Sequence, residues 1–591
     1  MNRDMLVLND QLTKQIFSRF LLPSIFALMA SNLSSMIDTV IVGNYLGDKG
    51  LAAMSLVTPV YLVYFTFGSM IAVGASIRAS MSLGENNLKK AEEYFGFTFM
   101  AAIILGVVFT ILGQIFLNQI VWLLGADGEL YAYARDYCFY YIMGGMITLL
   151  FYIPFNFLKI MGKPKTSMSL LITMGSVNVC LTLLFVGRFH MGCGGAALAT
   201  IISLGAAFLL GCRYMFAKDT NLKLRRPHLN IKEIMAAAFS GSSSAFNNLS
   251  RAVTVILINY IIARIGTNLM LTVYTVSRSV NDLFLTVVLG ISQSIVPLVS
   301  LFFGEKDNFS IRIVIKYALR IGTAIIAVCA VIVIACANPL MHLFGIEDVE
   351  ALGRTGIIAI ICVACSLNIS FINNLFSSYY SAVDKSGISN AIMLARTFLL
   401  AACAFALGSV FGADVIWGCY IAAEIMTLLC WNIIAAAYHK RHQKLSAIWL
   451  LDKRNEDVRK RIAFSVKNTK EDIMFASEKV TEFCDTLEDA AGQALMVSLA
   501  IEEILLLISS KCFDRQQEQY MDLCIYKMPD ALVLRIRSGG RHFNPIAYFK
   551  ETEKEDGPLL SDAMGMGIIL KKAKVVDYKE VLGINNLLVM L

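Results

Sequence analysis

From Ile16 onward the chain is a succession of long apolar runs separated by short polar ones, and the succession stops near residue 438. Twelve runs are long enough to cross a bilayer as helices: 16–42, 51–80, 95–119, 137–158, 167–187, 194–216, 234–264, 270–303, 316–337, 355–382, 389–410 and 414–438. Beyond residue 450 the pattern changes to shorter apolar and charged alternations. Asp472 to Ala500 reads as an amphipathic helix, followed by the apolar run Ile501 to Ile508, while 520–528 and 531–537 read as short strands. The expected fold is an all-α membrane protein of twelve transmembrane helices in two pseudo-symmetric six-helix lobes, with a small cytosolic α/β domain, an α+β sandwich.

The two sets of six runs look like copies. Tyr45-Leu46-Gly47, Met81-Ser82-Leu83-Gly84-Glu85 and Leu124-Gly125-Ala126 in the first set face Arg264-Ile265-Gly266, Phe302-Phe303-Gly304-Glu305 and Phe344-Gly345-Ile346 in the second. The offset stays near 220 residues at all three landmarks. Repeated lobes place substrate and ion sites near the midplane and predict alternating access by rocking. The expected boundaries are a cytosolic segment 1–15, an N-lobe 16–216, a cytosolic loop 217–233, a C-lobe 234–438, a basic linker 439–464 and a cytosolic domain 465–591.

Charge then orients the bundle. Lys89 and Lys90, Lys159 and Lys163, Arg225 and Arg226, Lys306 and Arg312, and Lys440 and Arg441 all follow even-numbered runs, and the odd-numbered connections carry few cations. By the positive-inside rule both termini are cytoplasmic. The chain is 57% hydrophobic and 16% charged, against about 25% charged in soluble domains. Its net charge of +7 sits in short loops, which argues for orientation and lipid contact and against nucleic-acid binding. Fourteen Cys show no metal-ligand spacing and no paired framework, so no metal site is expected. The first apolar run is too long for a cleaved signal peptide.

Inside the first run stands one carboxylate, Asp38, with Ser34 and Ser35 one turn back on roughly the same helix face. An acid at that depth faces a cavity or a partner and is a candidate functional group, here either a structural acid satisfied by neighbouring helices or a proton or cation site. The C-lobe carries different charges: Arg251, Arg278, Asp282, Arg396 and Glu424. Arg278 and Asp282 are spaced to pair at i, i+4. Arg251 has no local acid and reads either as a cation satisfied by a neighbouring helix or as an anion-attracting site. Glu424 reads as a second coupling candidate or as the partner of Arg396 or Arg251. Tyr61, Tyr64, Phe65, Phe67, Tyr379 and Tyr380 are candidates to line an amphipathic substrate pocket, against ordinary helix packing.

The run Asp38-Thr39 followed by Gly43, Gly47 and Leu51-Ala52-Ala53 resembles the first-helix signature of the multidrug and toxic compound extrusion (MATE) transporters. Pro59, Gly84-Glu85, Gly194-Gly195-Ala196-Ala197 and Val415-Ile416-Trp417-Gly418 fit the same pattern over residues 10 to 440. The resemblance implies an inner-membrane antiporter that exchanges a proton or sodium ion for an organic, often cationic, compound. It makes Asp38 the coupling acid and places Asn178 to face it. The Asp that the family pattern places four residues after that Asn is Thr182 here. One acid beside an amide and a hydroxyl suits a single proton better than sodium, although all three side chains offer oxygen ligands.

In the tail, Glu503, Ser538-Gly539-Gly540, Phe543-Asn544-Pro545, Gly565 and Gly567 resemble the anti-sigma-factor-type serine kinases of the histidine-kinase-like ATPase superfamily. The expected magnesium-binding Asn is Leu507 and the expected adenine-contacting Asp is Ser538. Without those groups phosphoryl transfer lacks its electrostatic support. The tail therefore reads as a degenerate domain that binds a cytosolic protein, or weakly ATP, and regulates the transporter. The expected function is a cation-coupled antiporter, not an enzyme, exporting small organic compounds with no required cofactor. The alternatives are a lipid-linked oligosaccharide flippase and a membrane-tethered sensor or anti-sigma kinase.

Overall fold

The computed structural model describes residues 11–591 apart from 127, 218–219, 221, 266–267, 338–351, 412–414, 454–460, 488–493, 514–518, 528–530, 557–566 and 568–569. Twelve of the described helices are long and apolar enough to cross a membrane, matching the twelve apolar runs one for one. The N-lobe holds α1 (Gln11–Gly47), α2 (Lys49–Gly84), α3 (Leu88–Ile115), α4 (Glu129–Ile160), α5 (Pro164–Thr182) and α6 (Gly192–Met215). The C-lobe holds α7 (Ile231–Ile265), α8 (Asn268–Ser294, continued by Val296–Gly304), α9 (Asn308–Ala335), α10 (Leu352–Ala382), α11 (Ser386–Phe411) and α12 (Cys419–Arg441). Helices α1 and α2 turn back on each other at Gly47, where φ is 64°, a left-handed angle that a side chain would resist.

The repeat survives in the detail of the turns. Asn87 caps α3 by accepting the Lys90 amide, and Asp307 caps α9 by accepting the Ser310 amide. The residue before each cap takes positive φ, 67° at Asn86 and 57° at Lys306. Short polar side chains at N-caps satisfy helix amides that have no partner within the helix.

The lobes meet at the end of the bundle that carries the tail. A Cβ on Gly84 would strike the Leu301 carbonyl, and one on Gly304 the Met81 carbonyl. The same reciprocal crossing recurs further in, with Gly74 on Ala237 and Gly241 on Met70. Only residues without side chains allow helix backbones to approach so closely. Polar bonds reinforce the seal: Ser80 Oγ donates to the Pro297 carbonyl at 2.9 Å, the Asn248 amide to Ser69 Oγ at 3.3 Å, and the Asn32 amide to Thr286 Oγ1.

The tail is a two-layer α/β domain. Its strands are β1 (Arg461–Lys467), β2 (Tyr520–Lys527), β3 (Leu532–Ser538), β4 (Val575–Val581) and β5 (Ile584–Met590), all antiparallel in the order β1-β2-β3-β5-β4. Its helices are α13 (Lys470–Asp485), α14 (Ala494–Cys512) and α15 (Pro545–Asp556). Met521, Leu523, Ile525, Leu534, Ile536, Leu587 and Val589 face α13 and α14 in one core. Two expectations shift. The apolar run 501–508 is the second half of α14, because its buried positions Ile501, Ile504, Leu505 and Ile508 keep a helical period. Strand β1 begins inside the stretch expected as linker, since Arg461 to Lys467 complete the sheet edge beside β2.

Candidate transport pathway and tail interface

Asp38 is buried within the N-lobe, 8% exposed, where α1 lies against α5. The Thr182 hydroxyl donates to its Oδ1 at 2.7 Å. No Lys or Arg ion-pairs with it among the described residues. The other members of the expected set divide. Ser34 is buried one turn away and donates to the Gly175 carbonyl at 3.3 Å, locking α1 onto α5. Ser35 faces outward, because a helix turns 100° per residue and burial of Ser34 and Asp38 sends it to the other flank. Asn178 is also buried, but its amide donates to Thr200 Oγ1 on α6 at 3.3 Å, so Thr182 rather than Asn178 is the recorded partner of the acid.

The C-lobe charges form two separate groups. Arg396 grips Glu424 through Nε at 3.1 Å and Nη2 at 2.5 Å, and its remaining donors reach Asn374 and Ser370. Asn373 completes the cluster by donating to Glu424 while accepting from the Trp431 indole at 2.9 Å. Each ionised group here has its counter-charge and hydrogen bonds, the condition for keeping charge inside a low-dielectric core. Glu424 is thus placed as a partner of Arg396. The second group is Arg251 and Arg278, which share Asp282 at 3.1 and 3.6 Å. Pairing of Arg278 with Asp282 follows the sequence spacing. Pairing of Arg251 does not, because its acid is supplied by the neighbouring helix.

The aromatic expectation is corrected for three residues. Tyr64 is core packing, its ring against Gly145, Phe109 and Tyr141. Tyr379 and Tyr380 are fully buried, and their hydroxyls donate to the carbonyls of Trp449 and Ile448. Tyr61 is half-exposed beside Phe65 and Tyr141.

The largest buried charge cluster lies where the tail meets the lobes. In β3 the residues between the core positions are Arg535 and Arg537, so alternation along the strand turns both guanidiniums to the outer face of the sheet. Arg537 meets Glu305, donates to Asp307 at 3.1 Å and lies over the Phe302 ring. Arg535 reaches Glu305 at 3.3 Å, and Arg461 of β1 reaches Asp307 at 2.6 Å. The Glu305 side chain is 0% exposed and accepts a further bond from Asn586 at 2.8 Å. Burial by itself would raise the Glu305 carboxyl, but the guanidiniums of Arg535 and Arg537 reverse that and hold it below its ordinary range. Asp307 is likewise opposed by burial and pulled well below its range by Arg461 and Arg537.

The same face of the sheet reaches the N-lobe. Lys579 donates to the Leu83 carbonyl, Asn86 to Asp577, and the Leu582 amide to the Ile160 carbonyl at 3.2 Å. At the β4–β5 turn a Cβ on Gly162 would strike the Gly583 backbone. Burial brings the Lys579 ammonium down to about 8. Sequence reasoning marked Glu305 and Gly84-Glu85 only as repeat landmarks. The available signal was the pair of arginines alternating with apolar residues in a strand that a two-layer domain would leave open to solvent.

In the tail's expected nucleotide region, Asn585 turns its amide onto Ser538 Oγ and the Gly539 and Arg541 carbonyls. Gly540 takes φ of 85° and lies against the Cys512 carbonyl, and Gly567 lies against the Phe549 ring. Leu507, in the place of the expected metal-binding Asn, is buried in the tail core. Glu503 is half-buried on α14, and Gly565 lies outside the described residues.

The MatE family profile matches residues 23–184, which span α1 to α5 and include Asp38 and Thr182. Residues 23–184 therefore carry a MatE domain, and the twelve-helix membrane part is similar to MATE transporters. The multidrug export protein MepA of Staphylococcus haemolyticus is 25% identical over 418 residues, covering 70% of this chain and 92% of that protein. A multidrug resistance MATE transporter in an outward-facing conformation superposes with a TM-score of 0.68 at 20% identity, over 73% of this chain and 99% of that one. The Vibrio cholerae MATE transporter VcmN in its bent form gives 0.66 at 19% identity, over 73% and 97%. A MATE chain is a transporter and not an enzyme, in accord with the twelve-helix, two-lobe bundle.

Proposed function

We propose that this chain is a cation-coupled antiporter that exports organic compounds across the cytoplasmic membrane, with the tail side facing the cytoplasm. The observation that carries the reading is the contrast among its membrane acids. Asp282 and Glu424 each have arginine partners, whereas Asp38, among the described residues, has one hydroxyl donor and no cation partner. An acid so placed can take up and release a proton without dismantling an ion pair. The similarity to MepA, a multidrug export protein, supports efflux as the direction and organic compounds as cargo. A proton fits better than sodium, because Asn178 is engaged with Thr200 and the ligand set around Asp38 is small. The test is export of a fluorescent dye from proteoliposomes under a proton or a sodium gradient, for the wild type and Asp38→Asn. Proton-driven export lost in the variant supports the reading. Export that persists in Asp38→Asn overturns it.

The tail then acts as a brace on the closed cytoplasmic side. It holds the Glu305–Asp307 turn of the C-lobe and the Leu83–Asn86 and Ile160–Gly162 turns of the N-lobe at once. Rocking the lobes apart on that side must break one set of these contacts. Replacement of the expected metal and adenine groups by Leu507 and Ser538 favours this mechanical role over kinase activity. Arg537→Glu should raise the population open on the tail side, measured by spin-label distances between α2 and α8 in the full chain, and Arg537→Lys, which keeps the charge facing Glu305 and Asp307, should raise it less. Unchanged distances in Arg537→Glu would sink the brace.

A further inference from the structure

The Arg251–Arg278–Asp282 group stands at a particular height in the bundle. Thr286, whose hydroxyl takes part in the inter-lobe bond to Asn32, is one turn along α8 from Asp282 on the tail side. Asn248, which bonds across the lobes to Ser69, is three residues along α7 from Arg251. The charged group is therefore the next layer beyond the inter-lobe seal, on the side away from the tail. Counting along α7 and α8, it lies roughly 30 Å of helix from their tail-side ends. On the N-lobe helix α2, whose Ser69 bonds to Asn248 of α7, Tyr61 stands about two turns beyond that bond on the side away from the tail, with its ring beside Phe65 and Tyr141.

Charge does not balance here. Two guanidiniums share one carboxylate, which leaves the group with a net charge of +1. Neither arginine has another acid partner among the described residues. Both side chains are open, 46% exposed at Arg251 and 44% at Arg278. In the C-lobe's other arginine cluster, Arg396 is 20% exposed and each of its three guanidinium nitrogens is hydrogen-bonded. Exposed guanidinium within a membrane span belongs in water, so these two arginines face the cleft between the lobes and not lipid. A planar guanidinium presents paired donors that match an oxyanion, and the opposite aromatic wall suits a flat apolar body.

We infer that the floor of this cleft is a binding site for amphipathic aromatic compounds carrying a carboxylate, sulfonate or phosphate group, with Arg251 and Arg278 holding the oxyanion and Tyr61 facing the ring system. The inference rests on the antiporter reading only in taking the cleft as the transport path. Asp282 sets the affinity by competing for the same donors, so the ligand's oxyanion displaces part of an existing ion pair.

The experiment uses a charge-matched pair of probes, pyrene-1-sulfonate and pyrenylmethylammonium, binding to the full chain in nanodiscs. The sulfonate should bind at least about tenfold more tightly than the ammonium compound, since hydrogen bonds to charged groups are individually strong. Arg251→Gln and Arg278→Gln should each weaken the sulfonate about tenfold and leave the ammonium compound unchanged or tighter. Asp282→Asn should act in the opposite direction and tighten the sulfonate, an effect that a misfolded variant cannot produce. Equal binding of the two probes, or sulfonate binding indifferent to all three substitutions, overturns the site. Retained sulfonate binding with no gradient-driven export would instead overturn the antiporter reading and leave the site standing.

Discussion

Gly84 and Gly304, 220 residues apart in the chain, pack reciprocally: each presents its bare α-carbon to the backbone carbonyl three residues before the other. The contact joins the end of α2 to the end of α8 and closes the tail side of the bundle. Neither glycine has a positive φ, so the requirement is space and not backbone conformation. Gly304→Ala should push the lobes apart on that side, at a cost of about 1–3 kcal/mol to the closed state. Labelling of a single cysteine placed at Ser80 should accelerate severalfold in the variant. Unchanged labelling would show that the crossing tolerates a methyl group.

Among the described residues Thr182 is the one donor to Asp38, and losing it should matter less than losing the acid. Thr182→Val keeps the shape and removes a hydrogen bond to an ionisable group, worth roughly 1.5–3 kcal/mol. Proton-driven export should fall about tenfold or more with the dye's KM little changed. An effect on KM alone would assign Thr182 to substrate contact.

Glu424 should prove structural. Glu424→Gln leaves the Arg396 guanidinium without its counter-charge in the C-lobe interior, and breaking a buried pair in this way costs about 3–5 kcal/mol. Thermal unfolding should shift down in Glu424→Gln and recover in the double variant Arg396→Met with Glu424→Leu. Normal stability with abolished coupling in Glu424→Gln would return this acid to the list of coupling groups.

Acid and base act on the tail interface through different groups. Glu305 and Asp307 are held below their ordinary ranges of 4.5 and 3.8 while docked, so the undocked state takes up more protons as pH falls. Their contribution to docking is complete above those ordinary values and is lost progressively below them. Lys579 runs the other way: docked it titrates at about 8 and free at 10.5, so docking strengthens as pH rises from 8 toward 10.5. Spin-label distances between the tail sheet and α9 across pH should show loosening at the acid end and tightening above 8. Lys579→Met should abolish the alkaline change alone.

Much of this protein is written in its sequence. The twelve spans follow from apolar length, because the bilayer core requires backbone groups to be satisfied internally and a long apolar helix does so within its own segment. The two-lobe plan follows from landmarks at a constant offset, and Asp38 stands out because an acid in such a run is costly. Pairing of Arg278 with Asp282 is a local, four-residue relationship and is equally legible. What the tertiary structure decided is every relationship between distant segments. Thr182, not Asn178, meets Asp38, because the rotation of α5 against α1 sets which side chain arrives. Arg251 acquires its acid from α8, and Glu424 acquires Arg396 from α11, through helix packing that no periodicity encodes. The alternation Leu534-Arg535-Ile536-Arg537 specified a strand with one apolar and one cationic face. Only docking of that sheet across both lobes showed that Glu305 and Asp307 neutralise its arginines, since a charge pair depends on distance through space and the chain separates these partners by more than 200 residues.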